Sequence, residues 1–462
     1  MPALALLLML LGNWHGANAH QASKAPPSFP YLDGRAVPVD FQSLNLELVF
    51  DVAARTGKGR ARIDLRALET GYPFFDMVPS PTSVRVNGAS LGTGALPAIS
   101  VPDGATTVRV LGQSLQAGTP VTVDIEYAFP ASEVTFTTTG ASAGLFMSDV
   151  GSDRDFLEAY APANLEFDAM DLRIEIEIRG ATAPHRIFTN GRAATLGTNH
   201  WSVLFPPYFT SSSPYLHFTE KNVSVAMGEH QGEYGAVPIT IYAESSSLAQ
   251  SGLADAKRVM GELETTYGPY AHDSLTAYVT PGGGGMEHCG ATMTSLWAIE
   301  HEITHSWFAR GVMPANGNSG WMDEAIASWR DNDYPTASGI TARPPVNLAA
   351  FSPYRRTTPQ AAYTSGAKFI GELDYLFKAT GGMKPLLAGL FDRYRYQTIT
   401  TPLFRAELEE ATGVKIEALF RRFALGEDVP IAAWSPFPSL PETPWISRHP
   451  RPYTREELAR YR

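Results

Sequence analysis

A change of hydrophobic period part-way along the chain is the feature that most constrains its fold. Between about Phe41 and Gly235, short segments alternate apolar and polar residues and are separated by glycine and proline. Such alternation places one face of a strand against a core and the other toward water. The clearest of these segments span residues 44–50, 61–65, 121–127 and 172–178. We therefore predict an antiparallel β-sandwich for this part of the chain.

The second half of the chain changes to helical patterns. Strand patterns still enclose one helix-like stretch between residues 239 and 296, and after Ala298 apolar residues recur every three to four positions. The predicted helices span residues 298–312, 323–332, 361–379, 382–395, 402–411 and 415–424. Because strands and helices occupy separate parts of the chain, we predict a multidomain α+β protein. The predicted divisions are a β-rich domain over residues 41–235, a mixed domain over 236–345, a helical part completing it over 346–430, and a proline-rich tail over 431–462.

The N-terminus has the features of a secretory signal. Residues 3–12 form an apolar run, and Ala17-Asn18-Ala19 has the small-x-small form of a cleavage site. We predict cleavage after Ala19, a leader segment over residues 20–40, and a secreted or periplasmic protein. The alternative is that residues 3–12 form a short buried helix. No other window approaches the ~20 apolar residues of a membrane span, so we expect no transmembrane anchor.

Composition excludes several classes of partner and site. The 36 Lys and Arg residues against 47 Asp and Glu residues give a net charge of −11, which argues against a nucleic-acid partner. The single cysteine, Cys289, excludes an intrachain disulfide and a cysteine-built metal site. A metal ion would therefore need histidine and carboxylate ligands.

The sequence His301-Glu302-Ile303-Thr304-His305 has the form His-Glu-x-x-His within a helical pattern. At ~100° per residue, His301 and His305 lie on one face of a helix, where both imidazoles can bind one ion. Glu302 points away from that line and would approach a metal-bound water rather than the metal. The alternative is an ordinary surface face of a helix.

A third ligand is available at Glu324. Eighteen residues separate His305 from Glu324, and the intervening segment 311–321 contains the glycine, proline and asparagine residues of a turn. Two antiparallel helices would place Glu324 opposite the two histidines. A hydrolytic zinc ion takes three protein ligands and leaves one position for water. Alternatively, Glu324 is a solvated acid at a helix N-terminus, although Asp323 fits that role better.

Several short motifs surround this spacing in a recognisable order. Before it come Gly144-Leu145-Phe146-Met147-Ser148, Phe156-Leu157-Glu158-Ala159 and Gly284-Gly285-Met286-Glu287-His288; after it come His305-Ser306-Trp307-Phe308 and Tyr363-Thr364-Ser365-Gly366. In this order, from about residue 41 to 425, the chain resembles the aminopeptidase N and leukotriene hydrolase family of zinc metallopeptidases, the gluzincins. The resemblance implies a saddle-like sheet domain followed by a thermolysin-like catalytic domain.

The resemblance also implies a role for each site residue. One Zn²⁺ per chain would bind His301, His305 and Glu324, Glu302 would act as general base, and Tyr363 would stabilise the oxyanion. The α-ammonium of a peptide would bind Glu287, with Glu158 as partner. The substrate backbone would lie along Gly284, Gly285 and Met286. Peptides with a free N-terminus are the implied substrates. Two departures from the family pattern are His288 in place of Asn and Ser365 in place of Lys.

Other activities are compatible with the same residues. Gly-Gly-Met-Glu-His also resembles the PDZ-bearing glycyl aminopeptidases, although the ligand spacing is short for them and no PDZ-sized segment follows the helices. Only about 100 residues separate Glu324 from the proline-rich tail, where family members usually carry a longer helical array, so the cleft is expected to be more open. The alternatives are therefore a zinc endopeptidase, an epoxide hydrolase on the same scaffold, and a non-catalytic zinc-bearing binding protein.

Overall fold

The structure is a computed structural model that describes residues 24–129, 134–144, 157–339 and 343–430. The predicted signal peptide (1–19), the proline-rich tail (431–462) and most of the segment Gly144–Ser148 lie outside these ranges. Among the residues described, no helix is both long and apolar enough to cross a membrane.

The first domain is built on a large sheet of twelve strands. In chain order the strands of this domain are β1 (Phe29–Tyr31), β2 (Gly34–Asp51), β3 (Thr56–Ala67), β4 (Tyr72–Phe75), β5 (Pro81–Val86), β6 (Ala89–Ser90), β7 (Ala98–Ser100), β8 (Thr107–Val110), β9 (Pro120–Phe129), β10 (Thr135–Phe136), β11 (Ala141–Gly144), β12 (Asp171–Arg179), β13 (Arg186–Thr189), β14 (Arg192–Gly197), β15 (His200–Leu204) and β16 (Leu216–Thr219). The main path of the large sheet runs β14-β15-β12-β2-β3-β9-β5-β6, and a smaller sheet has the order β10-β11-β16-β13.

Burial alternates along the central strands as the sequence predicts. In β3 every second residue is buried, and Ala61, Ile63 and Leu65 lie opposite the buried Leu46, Leu44 and Phe41 of β2. Most neighbours are antiparallel, but β2 pairs in parallel with β12 and with β4. Because β2 begins at Gly34, the sheet includes part of the predicted leader segment.

The second domain contains a five-stranded sheet of order β17-β18-β19-β21-β20. Its strands and those of a small two-stranded sheet are β17 (Ser224–Gly232), β18 (Gly235–Ala243), β19 (Leu275–Thr280), β20 (Met286–His288), β21 (Ala291–Ser295), β22 (Val312–Pro314) and β23 (Gln397–Ile399). The hairpin of β17 and β18 starts this sheet at Ser224, ahead of the predicted division after residue 235. The short strand β20 forms one edge and pairs antiparallel with β21.

Helices cover this sheet and form the end of the described chain. They are α1 (Ser246–Tyr267), α2 (Ile299–Thr304), α3 (Met322–Asp331), α4 (Ser365–Leu376), α5 (Met383–Tyr394), α6 (Thr401–Thr412) and α7 (Glu417–Phe423). The α+β prediction with the sheet domain first is thus confirmed. The helix predicted over residues 298–312 is wrong in length, because α2 ends after six residues. A helix through residue 312 is incompatible with the φ of 136° at Ala309. Gly311 follows in a tight turn into β22, where a Cβ would lie 2.6–2.7 Å from the Ser306 and Trp307 carbonyl oxygens.

The edge strand β20 joins the two domains. Met286 and Cys289 are buried in the same apolar cluster as the core of the first domain. The edge of the second sheet is therefore held against the first domain, which fixes the position of Glu287 between them.

Candidate active site

Two imidazoles and one carboxylate converge where α2 faces α3. Nε2 of His301 lies 2.9 Å from Oε2 of Glu324 and 3.1 Å from Nε2 of His305. Nε2 of His305 lies 3.5 Å from the same Glu324 oxygen. The ligand atoms of all three lie within 4.8 Å of one another. The structure therefore brings together the three residues predicted as metal ligands.

The outer ring nitrogen of each histidine faces an acceptor. Nδ1 of His301 lies 2.5 Å from Oδ2 of Asp331, and Nδ1 of His305 lies 3.0 Å from the carbonyl oxygen of Phe308. Since a carbonyl oxygen only accepts, Nδ1 of His305 carries a proton and its Nε2 faces Glu324. Burial lowers the pKa of His305, but the negative charges of Glu324 and Glu287 outweigh it and raise the pKa to about 10, so the group favours positive charge at the position that a metal ion would take. Three nitrogen and oxygen donors with oriented imidazoles fit a zinc ion.

Glu302 lies on α2 with its carboxylate close to this group. It is buried, and no hydrogen bond to its carboxylate occurs within the described ranges. Burial raises the pKa of Glu302 to about 8, although the adjacent His301 and His305 act in the opposite direction. Its position depends on Gly285, where a Cβ would lie 2.4–2.5 Å from Oε1, Cδ and Cγ of Glu302. The carboxyl group is therefore held at the edge strand beside the ligand group, and the raised pKa gives its ionised form the proton affinity that a general base needs.

Tyr363 reaches the same group from a short turn before α4. Its hydroxyl donates to Oε1 of Glu324 at 2.7 Å. Its ring lies nearly parallel to the His301 ring, with 6.1 Å between the centroids. The phenol thus stands beside the predicted metal ligands.

Glu287 is fully buried at the edge strand, and two guanidinium groups hold one of its oxygens. Arg310 and Arg356 each donate to Oε1 at 2.9 Å. Burial alone would raise the pKa of Glu287, but the charges of Arg310, His305 and Arg356 lower it to about 2. Both guanidinium groups bind Oε1, and Glu287 lines the cleft, so it is an ionised carboxylate whose Oε2 is left for a ligand.

The other predicted substrate-binding residues occupy different places. Gly284 and Gly285 line the cleft with Glu287. Met286 is buried among first-domain side chains. Glu158 lies buried in a short 3-10 turn of the first domain, where its carbonyl oxygen accepts from Val78 at 2.8 Å. Neither Met286 nor Glu158 is among the described residues that line the cleft.

Arg356, which holds Glu287, and three further residues that the structure places at the site were missed from the sequence. Asp331 orients His301, and its spacing of seven residues from Glu324 on one helix was an available signal. Arg310 stands within the apolar run Trp307 to Met313, where an arginine requires a buried partner. Trp297 lines the cleft although it is 76% exposed. Neither the spacing nor the composition of the sequence marks Trp297 as a site residue.

The cleft that joins these residues has a volume of about 550 Å³. His301, Glu302, Glu324 and Tyr363 form one part of its wall, and Gly284, Gly285 and Glu287 form another. The arrangement combines a metal-ligand set, a proton acceptor, a phenol donor and an anionic group beside the glycine segment that leads into the edge strand. Such a site can orient and hydrolyse an extended peptide.

Comparison with solved structures identifies the fold. The M1 zinc metallopeptidase from Deinococcus radiodurans superposes with a TM-score of 0.61 and 16% identity over 87% of this chain and 96% of that chain. A mutant of that enzyme bound to a Tyr-Ser-Ala substrate superposes with a TM-score of 0.62 and 16% sequence identity, over 89% of this chain and 98% of that chain. Legionella pneumophila aminopeptidase A in complex with aspartic acid superposes with a TM-score of 0.65 and 14% sequence identity, over 85% of this chain and 50% of that chain.

The sequence itself matches no protein-family model and no curated protein. The chain nevertheless has the fold of the two-domain M1 zinc metallopeptidases across most of its length. The family resemblance drawn from the motifs is thus confirmed at the level of the fold. Within that fold the chain carries a candidate metal site made of His301, His305 and Glu324.

Proposed function

We propose that this protein is a zinc-dependent aminopeptidase that removes N-terminal residues from peptides. The observation that carries the proposal is the placement of an ionised carboxylate, Glu287, beside Glu302 and the three-ligand group, at the edge strand of one cleft. Structures of similar fold include an aminopeptidase A with bound aspartic acid and an M1 metallopeptidase with a bound tripeptide. Both support a peptide N-terminus as the ligand.

His301, His305 and Glu324 are the proposed ligands of one zinc ion. Zinc held there would polarise the scissile carbonyl and lower the pKa of a water molecule. Asp331 and Phe308 fix the orientation of the two imidazoles, so the site is preorganised before the ion binds.

The protein side chains divide the proton transfers between them. Glu302 takes a proton from the attacking water and delivers it to the leaving amine, as an unpaired carboxylate near the scissile bond can do. The Tyr363 hydroxyl donates to the carbonyl oxygen as that oxygen gains negative charge. Oε2 of Glu287 accepts from the substrate α-ammonium, which sets the distance from the N-terminus to the cleaved bond.

A panel of aminoacyl arylamides, each free and N-acetylated, tests the proposal with and without a chelator. We expect hydrolysis of the free compounds only, loss of activity with the chelator, and recovery on adding zinc. Equal cleavage of the acetylated compounds would favour an endopeptidase. Turnover of an epoxide but not of arylamides would favour an epoxide hydrolase. Zinc binding without any turnover would favour a binding protein.

We also propose that the protein is exported. The support is the apolar run over residues 3–12 followed by Ala17-Asn18-Ala19. The mass of the protein recovered from the exported fraction should correspond to a chain that begins at His20. An uncleaved chain retained in the cytoplasm would contradict this.

A further inference from the structure

Trp297 differs from the other tryptophans that the structure describes. Trp201, Trp307, Trp321 and Trp329 are at most 7% exposed, whereas Trp297 is 76% exposed. Its side chain lines the active-site cleft. A large indole left in water at the wall of a cleft offers apolar area that a ligand can cover.

The main chain around Trp297 is held in a tight turn. The amide of Ala298 donates to the carbonyl oxygen of Ser295 at 3.1 Å, which closes the turn between β21 and α2. Ser295 is bound in turn to the edge segment: its amide donates to Gly284 at 3.2 Å and its hydroxyl to Gly283 at 2.9 Å. The indole therefore projects from a fixed position beside Gly284.

The order of groups along the edge segment gives Trp297 a place relative to the substrate. Glu287 stands at one end, Gly285 packs against Glu302, and Gly284 lies beyond it next to the Trp297 turn. The three residue steps from Glu287 to Gly284 span at most about 10 Å of chain, the same advance as three residues of an extended peptide at ~3.3 Å per residue. A peptide whose α-ammonium lies at Glu287 and whose first carbonyl lies at Glu302 therefore passes Trp297 with its second and third residues.

We propose that Trp297 is a specificity-determining residue that binds large apolar side chains in the two residues after the scissile bond. This rests on the proposed aminopeptidase function and extends it to the leaving part of the substrate. We expect this part of the cleft to bind apolar rather than charged side chains of the substrate, because the charged groups near Trp297 form ion pairs with one another. Arg330 pairs with Glu300 at 2.9 Å and with Glu262, and Glu300 also pairs with Arg258.

Two tripeptides with a free α-amino group and a C-terminal amide, Ala-Phe-Phe-amide and Ala-Gly-Gly-amide, test the proposal with the full chain loaded with zinc. We expect the parent protein to hydrolyse both and to prefer the phenylalanine peptide at least tenfold in kcat/KM. Trp297→Ala should remove most of that preference by lowering kcat/KM for the phenylalanine peptide, with a change of less than twofold for the glycine peptide. Trp297→Phe should retain most of the preference.

Met227→Ala is a matched control, because Met227 is 75% exposed on β17 at the opposite edge of the sheet. It should leave both rates unchanged. An unchanged ratio of the two rates in Trp297→Ala would overturn the inference while leaving the aminopeptidase function intact. Failure of the parent protein to cleave either peptide would overturn both.

Discussion

At the scale of single residues, a substitution of Glu302 can separate the loss of catalysis from the loss of metal binding. We expect Glu302→Gln to keep zinc and to lose at least about 100-fold in kcat, since general base catalysis contributes about 10²–10⁴. The amide has nearly the same shape, and the carboxylate has no hydrogen bond within the described ranges for the substitution to break. Metal content by mass spectrometry and arylamide turnover measure the two effects separately. Near-parental turnover would contradict the general-base role, and Glu410→Gln on an exposed face of α6 should change neither.

Gly285 supports that role through its size. A methyl group at this position would lie 2.4–2.5 Å from three Glu302 atoms, so Gly285→Ala must displace either the strand or the carboxylate. We expect at least a tenfold loss of kcat with zinc still bound. Gly282→Ala is the control, because a Cβ there has nothing within 4 Å. If both variants kept the parental rate, Glu302 would not be positioned by this contact.

At the scale of elements, α3 contributes two groups to the metal site. Glu324 and Asp331 lie two turns apart on one face of the helix, the first beside Nε2 of His301 and the second at its Nδ1. We expect Asp331→Ala to weaken zinc affinity about 10- to 100-fold, as loss of an outer partner of a ligating histidine does. Competition with a fluorescent chelator measures the affinity. Asn332→Ala, at the end of the same helix, should bind zinc as the parent does, and equal affinities in both variants would exclude the orienting role.

Elements with a local signal were predictable from the sequence, and contacts between distant segments were not. The strand β3 and helix α3 follow from alternation and from helical spacing, because one face of each is buried. The metal-ligand set followed from the spacing of His301, His305 and Glu324 within one helix pair. The pairing of Glu287 with Arg310 and Arg356 joins residues 23 and 69 positions apart, and one sequence carries no periodic pattern for such contacts.

At the scale of the whole molecule, histidine and tyrosine side chains meet across the contact between the two domains. Nδ1 of His217 in β16 lies 2.8 Å from the hydroxyl of Tyr242 in β18. Nδ1 of His272 lies 3.1 Å from the hydroxyl of Tyr208. A third buried imidazole, His288, packs edge-on against the ring of Tyr215 with 5.3 Å between centroids. The domain contact therefore contains three imidazoles with little access to water.

Burial keeps these imidazoles neutral in the folded protein. It lowers the pKa of His217 to about 4 and the pKa values of His272 and His288 to about 3. An unfolded histidine has a pKa of about 6.5, so between this value and about 4 the unfolded chain binds more protons than the folded chain. The contribution of these three histidines to the free energy of unfolding is therefore fully present above about pH 6.5 and falls as the pH falls through this window.

We accordingly predict that the protein is less stable at pH 5 than at pH 7. Each buried imidazole contributes a loss of about 2 kcal/mol over this interval, from its shift relative to about 6.5, so three together amount to about 6 kcal/mol. Glu302, whose pKa is raised by burial to about 8, binds its proton more tightly in the folded protein and offsets part of this loss. Urea unfolding at a series of pH values measures the slope. His217→Gln keeps a polar group near Tyr242 but cannot titrate. The slope of the free energy of unfolding against pH should therefore correspond to about one proton fewer taken up on unfolding. A slope in His217→Gln equal to that of the parent protein would show that His217 already carries its proton in the folded state.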